Sequence, residues 1–154
     1  MPVIPEELEM QKLNAEVLQL REAVRNSQRE LEIEASLERV RARALSMHQP
    51  DELIGVCKTL LAELQTLGFT QIPNTQIAIA DDVKGSYMNY ESYPNDKNFI
   101  GEVSYDSHPF IASLAAKMRS NKHAFFHETI SGAALGDWRK YIKSFSNQPA
   151  PKLD

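Results

Sequence analysis

Cysteine, glycine and long apolar runs are all scarce in this chain, and each scarcity excludes something. There is one cysteine, Cys57, so no internal disulfide can form, which suits a reducing compartment. No apolar run approaches the ~18–20 residues that cross a bilayer. The start, MPVIPEELEM, lacks a basic segment followed by an apolar one, so it does not read as a secretory signal. A net charge of −4 gives no overall basic footprint for nucleic acid. The chain therefore reads as soluble and cytoplasmic, with no membrane contact from this segment. Its 42% hydrophobic and 25% charged residues suit one domain plus an extension.

Motifs that carry chemistry are scarce too. Gly85, Gly132 and Gly136 are too scattered to cradle a phosphate. No Ser-His-Asp or Cys-His set can be placed by spacing, and the expectation is no catalytic residues. Asp81, Asp82 and Glu91 read as solvated charges around a turn. His123 and His127 lie in a stretch, HAFFHET, that reads as a strand. There they would stand about 13 Å apart, too far for one ion, so no metal site is expected. Arg39, Arg41 and Arg43 alternate with Val40, Ala42 and Ala44. On a helix that spreads them around the cylinder, for salt bridges rather than for nucleic acid.

What is abundant is helix-forming sequence. From Glu6 to Met47 there is no glycine or proline, and 28 of those 42 residues are Ala, Glu, Lys, Leu or Arg. A continuous helix there would run roughly 60 Å, longer than a small domain is wide. Leu13, Val17, Leu20, Val24 and, after Ser27, Leu31 form an a/d seam. The apolar set then resumes one residue out of phase as Ile33, Leu37, Val40, Ala44 and Met47. Two seams with a phase break read as a coiled coil with a local change in winding, and predict a parallel homodimer. Folding of the helix back onto its own domain is the competing reading. Ser27-x-x-Glu30 also has capping-box form, so a break is conceivable there.

After the helix, which should end near His48, Pro50 fits the first turn of a second helix. Leu53, Val56, Cys57, Leu60, Leu61 and Leu64 make its apolar stripe, and Gly68 its stop. Cys57 lies on the stripe and reads as a core residue, not a reactive thiol. Thr75–Ala80 and Tyr87–Tyr93 read as a hairpin around Asp81–Gly85. Pro94–Asn98 is a loop, Gly101–Tyr105 a short extended stretch, and 123–129 a further strand. A helix opens at Pro109, capped by Asp106 or Ser107, with Phe110, Leu114, Ala115 and Met118 buried. Another spans Gly132–Phe145, with Ala134, Trp138, Tyr141, Ile142 and Phe145 on one side. The order predicts an α+β fold, an antiparallel sheet with helices. So small a sheet implies an open edge, to be covered by further strands or by a neighbouring protomer.

Residues 31–69, LEIEASLERVRARALSMHQPDELIGVCKTLLAELQTLGF, resemble the start of the GAF-like sensor domains of bacterial two-component histidine kinases. Leu37, Glu38, Arg39, Val40, Arg41, Ala42, Arg43, Ala44, Met47, Asp51, Glu52 and Leu53 carry the likeness. His108-Pro109-Phe110 and Gly132-x-x-Leu135-x-x-Trp138 extend it more loosely. The resemblance implies a signalling coiled coil over 1–48, a GAF-like sensor domain over 49–146, complete or cut short, and a polar tail over 147–154. It implies an input module that relays a signal to a downstream kinase or output domain of the parent chain. It does not imply a particular ligand or cofactor. A GAF-like fold would place a small molecule between the sheet and the helices over one face. Tyr87, Tyr90, Phe110, Phe126, Trp138 and Tyr141 are the aromatic material for such a pocket. A purely structural dimerisation module without ligand is the alternative.

Overall fold

The computed structural model describes residues 5–121 and 125–146, the last two by backbone alone. His123 and the tail 147–154 fall outside the described residues. The architecture is α+β, with a long helix, α1 (Pro5–Leu45), ahead of α2 (Leu53–Thr66), a sheet of β1 (Thr75–Asp81), β2 (Ser86–Ser92) and β3 (Asn98–Ser104), then α3 (Pro109–Ser120) and α4 (Gly132–Ser146).

α1 is one unbroken helix of 41 residues. The Ser27–Glu30 capping-box pattern does not interrupt it, because no Gly or Pro stands nearby to end the preceding turn. Glu6 and Glu7 at its start and Arg43 at its end complement the helix dipole. It stops at Leu45, a few residues short of His48, as Ser46 Oγ takes the Arg43 carbonyl at 2.8 Å. Pro50–Glu52 then forms a 3-10 turn that leads into α2.

α2 buries Val56, Cys57 and Leu61 against β1 and β2. Cys57 Sγ meets the Tyr90 carbonyl at 3.3 Å, and Thr75 Oγ1 donates to the Cys57 carbonyl at 2.7 Å. Burial pushes the Cys57 thiol up, so it stays protonated and inert in the core. The helix closes on Gly68, whose φ of 98° only glycine adopts cheaply. Gly68 N–H bonds the Gln65 carbonyl at 3.0 Å and Phe69 N–H that of Leu64 at 2.9 Å, a Schellman cap.

The sheet is an antiparallel meander in the order β1-β2-β3. Asp81 Oδ1 accepts from the amides of Val83 and Lys84 at 3.2 and 3.1 Å, which tightens the first turn around Gly85. The register puts Thr75, Ile77 and Ile79 on one face with Ser86, Met88, Tyr90 and Ser92. α2 covers the Thr75–Tyr90 half of that face. The opposite face carries Ala78, Tyr87, Asn89, Gly101 and Val103. β3 begins at Asn98, earlier than the sequence suggested, because its Phe99 and Ile100 pair with Glu91 and Tyr90.

Three expectations are corrected. The 125–129 part of the HAFFHET stretch is not a strand: Phe125 is fully exposed, so the alternation a strand needs has no buried side. An ion pair from Lys117 to Glu128 and the Lys117 ammonium 5.8 Å from the Phe126 ring tie this segment to α3 instead. The cap of α3 is neither Asp106 nor Ser107. His108 occupies that position, with its Nδ1 accepting from Phe110 N–H at 3.1 Å. Met118 is exposed and Ile111 takes the buried place, shifting the inner face of α3 to Ile111 and Ala115. On α4, Trp138 and Tyr141 are half-buried while Ala134 and Ile142 are exposed.

Candidate functional site

The structure sorts the six expected pocket residues into three places. Phe110, Trp138 and Tyr141 come together where α3 starts against α4. The Phe110 and Trp138 rings meet edge-on at 4.9 Å, and Trp138 stacks with Tyr141 at 5.5 Å. His108, which sequence reasoning did not select, sits among them at 5.3 Å from Trp138 and 4.9 Å from Tyr141. Its place before Pro109 at a helix start was the signal: a cap must point its side chain back over the first turn. Ser107 Oγ and Tyr141 Oη share a hydrogen bond of 2.7 Å.

Tyr87 belongs to the same side of the sheet. Burial, reinforced by Tyr141 and Glu91, pushes its hydroxyl up to about 12. Its ring stacks with Tyr105 at 6.3 Å, and the Arg119 guanidinium lies 5.5 Å over Tyr105 while reaching Asp82 at 3.1 Å. Tyr90 is not part of this group. It lies on the opposite face, buried under α2, because it is an odd number of residues from Tyr87 on a strand. Phe126 is separate as well, beside Lys117 near the end of α3.

At the centre of the Tyr87 face stands Asn89. It is buried, and its Oδ1 has no hydrogen-bond partner among the described residues. Its neighbours in the register are the small residues Ala78 and Gly101. The Phe99 ring fills the space above Gly101, where a Cβ would come within 2.6 Å of Phe99 Cζ. A buried acceptor left unpaired costs ~1–3 kcal/mol. Asn89→Leu, of similar shape, should therefore raise the stability of the free protein by about 1 kcal/mol in urea unfolding. A loss of stability instead would show that the amide already has a partner.

Tyr93 shares the Tyr87 behaviour: burial first, then the negative charge of Glu91 and the 3.0 Å bond the hydroxyl donates to it, push its hydroxyl up to about 12. Both tyrosines hold their protons longer in the folded than in the unfolded chain. Their contribution to stability is present below ~pH 10 and fades as pH rises toward 12. Ultraviolet titration of the folded protein should show a late-titrating group of tyrosines, and thermal stability should fall across that window. If all tyrosines titrate together near 10, the burial of this face is overturned.

Other chemistry is thin. Among the described residues no group of three or more His, Cys, Asp or Glu is placed to hold a metal. No described helix is long and apolar enough to cross a membrane. An open depression of about 380 Å³ lies at the other end of the α2-covered face, between Ile79, Asp81, Ser86, Met88 and Glu102. It is away from the aromatic group.

The expected seam residues also divide. Leu13, Val17, Leu20, Val24, Leu31, Ile33 and Leu37 are exposed on α1, while Val40, Ala44 and Met47 are half-buried. α1 runs antiparallel to α2 and is held to it by polar contacts. Arg39 grips Glu63 with two bonds of 2.6 and 2.7 Å, which keeps the Glu63 carboxyl below its ordinary range. Arg29 Nη2 donates to the Leu67 carbonyl at 2.5 Å, Arg43 lies against Gly55, and Ser36 is buried between the helices.

No protein family, curated protein or solved structure matches this chain.

Proposed function

We propose that this chain is the input module of a bacterial two-component signalling protein, a GAF-like sensor domain that passes a small-molecule or partner signal through a dimeric helix. It contributes no catalytic residues of its own and works in the cytoplasm, upstream of a kinase or output domain. The observation that carries the reading is a continuous mechanical path. The Asn89 and Tyr87 face of the sheet backs onto the face that holds α2, α2 is bonded to β1 and β2, and α1 is clamped to α2 by Arg39 and Arg29. A change at the sheet thus reaches α1 through rigid elements. Switching then needs only that a ligand favour one arrangement over another.

The test is a thermal-shift screen of the whole chain against a small-molecule library, with Asn89→Leu as the comparison. A ligand that binds only the folded state raises the melting temperature, and one that uses the central amide should lose its effect in Asn89→Leu. If no compound shifts the melt, the chain is a dimerisation module without a small-molecule input. Labelled ATP should leave no phosphate on the protein; incorporation would mean that the chain is itself an enzyme.

A further inference from the structure

The two apolar seams of α1 do not lie on one side of the helix. At ~100° per residue, Leu13, Val17, Leu20, Val24 and Leu31 centre roughly 140° away from the stripe of Arg29, Ser36, Val40 and Arg43. That stripe is the one in contact with α2. The second seam, Ile33, Leu37, Val40, Ala44 and Met47, centres on the α2 side. Its members Val40, Ala44 and Met47 are half-buried there. The first contact with the domain, at Arg29, comes one half-turn before the last residue of the first seam, Leu31.

We propose that α1 changes partner at residues 29–33: ahead of this point it pairs in parallel with α1 of a second copy, and beyond it each α1 docks on its own α2. The phase break in the sequence is then a handover from one partner to another, not a change of winding within one coiled coil. This deepens the dimeric reading above and rests on it.

Why the occupant of the first seam is a second copy follows from its residues. The spacing makes Met10, Val17, Val24 and Leu31 the a positions and Leu13, Leu20 and Ser27 the d positions. β-branched residues at a with leucine at d favour two parallel strands. The exposures run from 37% at Val17 to 67% at Leu31, so the whole stripe is open in the single chain. The flanking charges fit only one arrangement. Glu16 is at a g position and Arg21 at the following e, the pair that faces across a parallel dimer. Each would meet its opposite in the second copy, twice by symmetry, whereas an antiparallel pairing sets g positions against g and e against e, so Glu16 could face only Glu9, Glu16, Ala23 or Glu30 and never Arg21. Neither residue has an ion-pair partner among the described residues. Past Leu31 the second copy cannot take Val40, Ala44 and Met47 without displacing α2.

Two cysteine variants of the whole chain test this, Ser27→Cys and Leu37→Cys, with light scattering on each. Both positions are exposed in the single chain, and the native Cys57 is buried and does not compete. Under a mild oxidant Ser27→Cys should form at least tenfold more disulfide-linked dimer than Leu37→Cys. Equal crosslinking at both positions would overturn the handover and leave the dimeric input module standing. A dimer by light scattering that crosslinks at neither position would overturn the parallel register. A monomer at tens of micromolar would overturn both this proposal and the dimeric relay. A charge exchange gives an independent reading. Glu16→Arg alone should weaken the dimer, and adding Arg21→Glu should restore it; no recovery would count against the parallel g–e′ pairing.

Discussion

Leu20→Glu is expected to abolish the proposed dimer, leaving a monomer, while the α+β domain that follows α1 stays folded. Leu20 is the central d position of the first seam and is 59% exposed in the single chain, so its apolar surface is available to a partner and is not used by its own domain. In a parallel dimer the two copies of residue 20 face each other. The substitution removes two leucines, at ~1.5–3 kcal/mol of burial each. It also brings two carboxylates together in a desolvated seam. A loss of 3 kcal/mol or more weakens association by about a hundredfold or more, at ~1.4 kcal/mol per tenfold. Light scattering at tens of micromolar should read a monomer. Fluorescence of Trp138, the single tryptophan, should keep its folded signal, because it sits among His108, Phe110 and Tyr141 far along the chain from residue 20. An unchanged dimer would remove the first seam as an interface.

How much of this was legible in the sequence differs from element to element. α1 was readable because nothing between Glu6 and Met47 can break a helix, and propensity summed over that length is decisive. α2 was readable because its stripe has period 3.6 and a glycine follows it. The first hairpin was readable from the Asp81–Gly85 turn. The failures share a cause: local pattern cannot say which contacts a segment finds. Phe125 and Phe126 look like strand residues, but they join neither edge of the described sheet and stay exposed on coil. Asp106 and Ser107 have capping chemistry, yet the bend after β3 delivers His108 to the cap, and Ser107 is drawn to Tyr141 instead.

The candidate site was legible as a composition and not as a place. Six aromatic residues were marked as pocket material, and the structure brings only Phe110, Trp138 and Tyr141 into mutual ring contact; Tyr87 and Tyr90 point to opposite faces, a fact that strand periodicity alone already contains once β2 is placed. Asn89 carried no signal at all. An asparagine in a strand is an ordinary surface residue until the sheet is covered, and only burial makes its unpaired Oδ1 informative. The phase break in α1 was visible, but its meaning was not. A one-residue slip is compatible with altered winding or with a change of partner, and the position of α2 decides between the faces.

Leu61→Ala should lower the stability of the α+β domain by ~2–5 kcal/mol, the range for emptying a well-packed leucine site. Leu61 is 4% exposed and stands one turn beyond Cys57 on the face of α2 that meets the sheet. α2 packs both on the sheet and on α1. A void beneath it therefore weakens the seating of both. Small domains hold only ~5–15 kcal/mol in total, and ~1 kcal/mol moves the melting temperature of a domain this size by about 4–8 °C. The expected fall is then about eight degrees or more, followed by Trp138 fluorescence. Val83→Ala, at a fully exposed turn position, is the control and should change stability by less than ~0.5 kcal/mol. Helicity of the first half of α1 should survive the domain's unfolding in Leu61→Ala, since Leu13 to Val24 are exposed in the single chain and the proposed second copy would hold them. Ellipticity at 222 nm would then lose only part of its amplitude when the Trp138 signal is fully lost. If the two signals vanish together at the lower temperature, the dimer seam depends on the domain, and the division of α1 between two partners is not a division into separately stable parts.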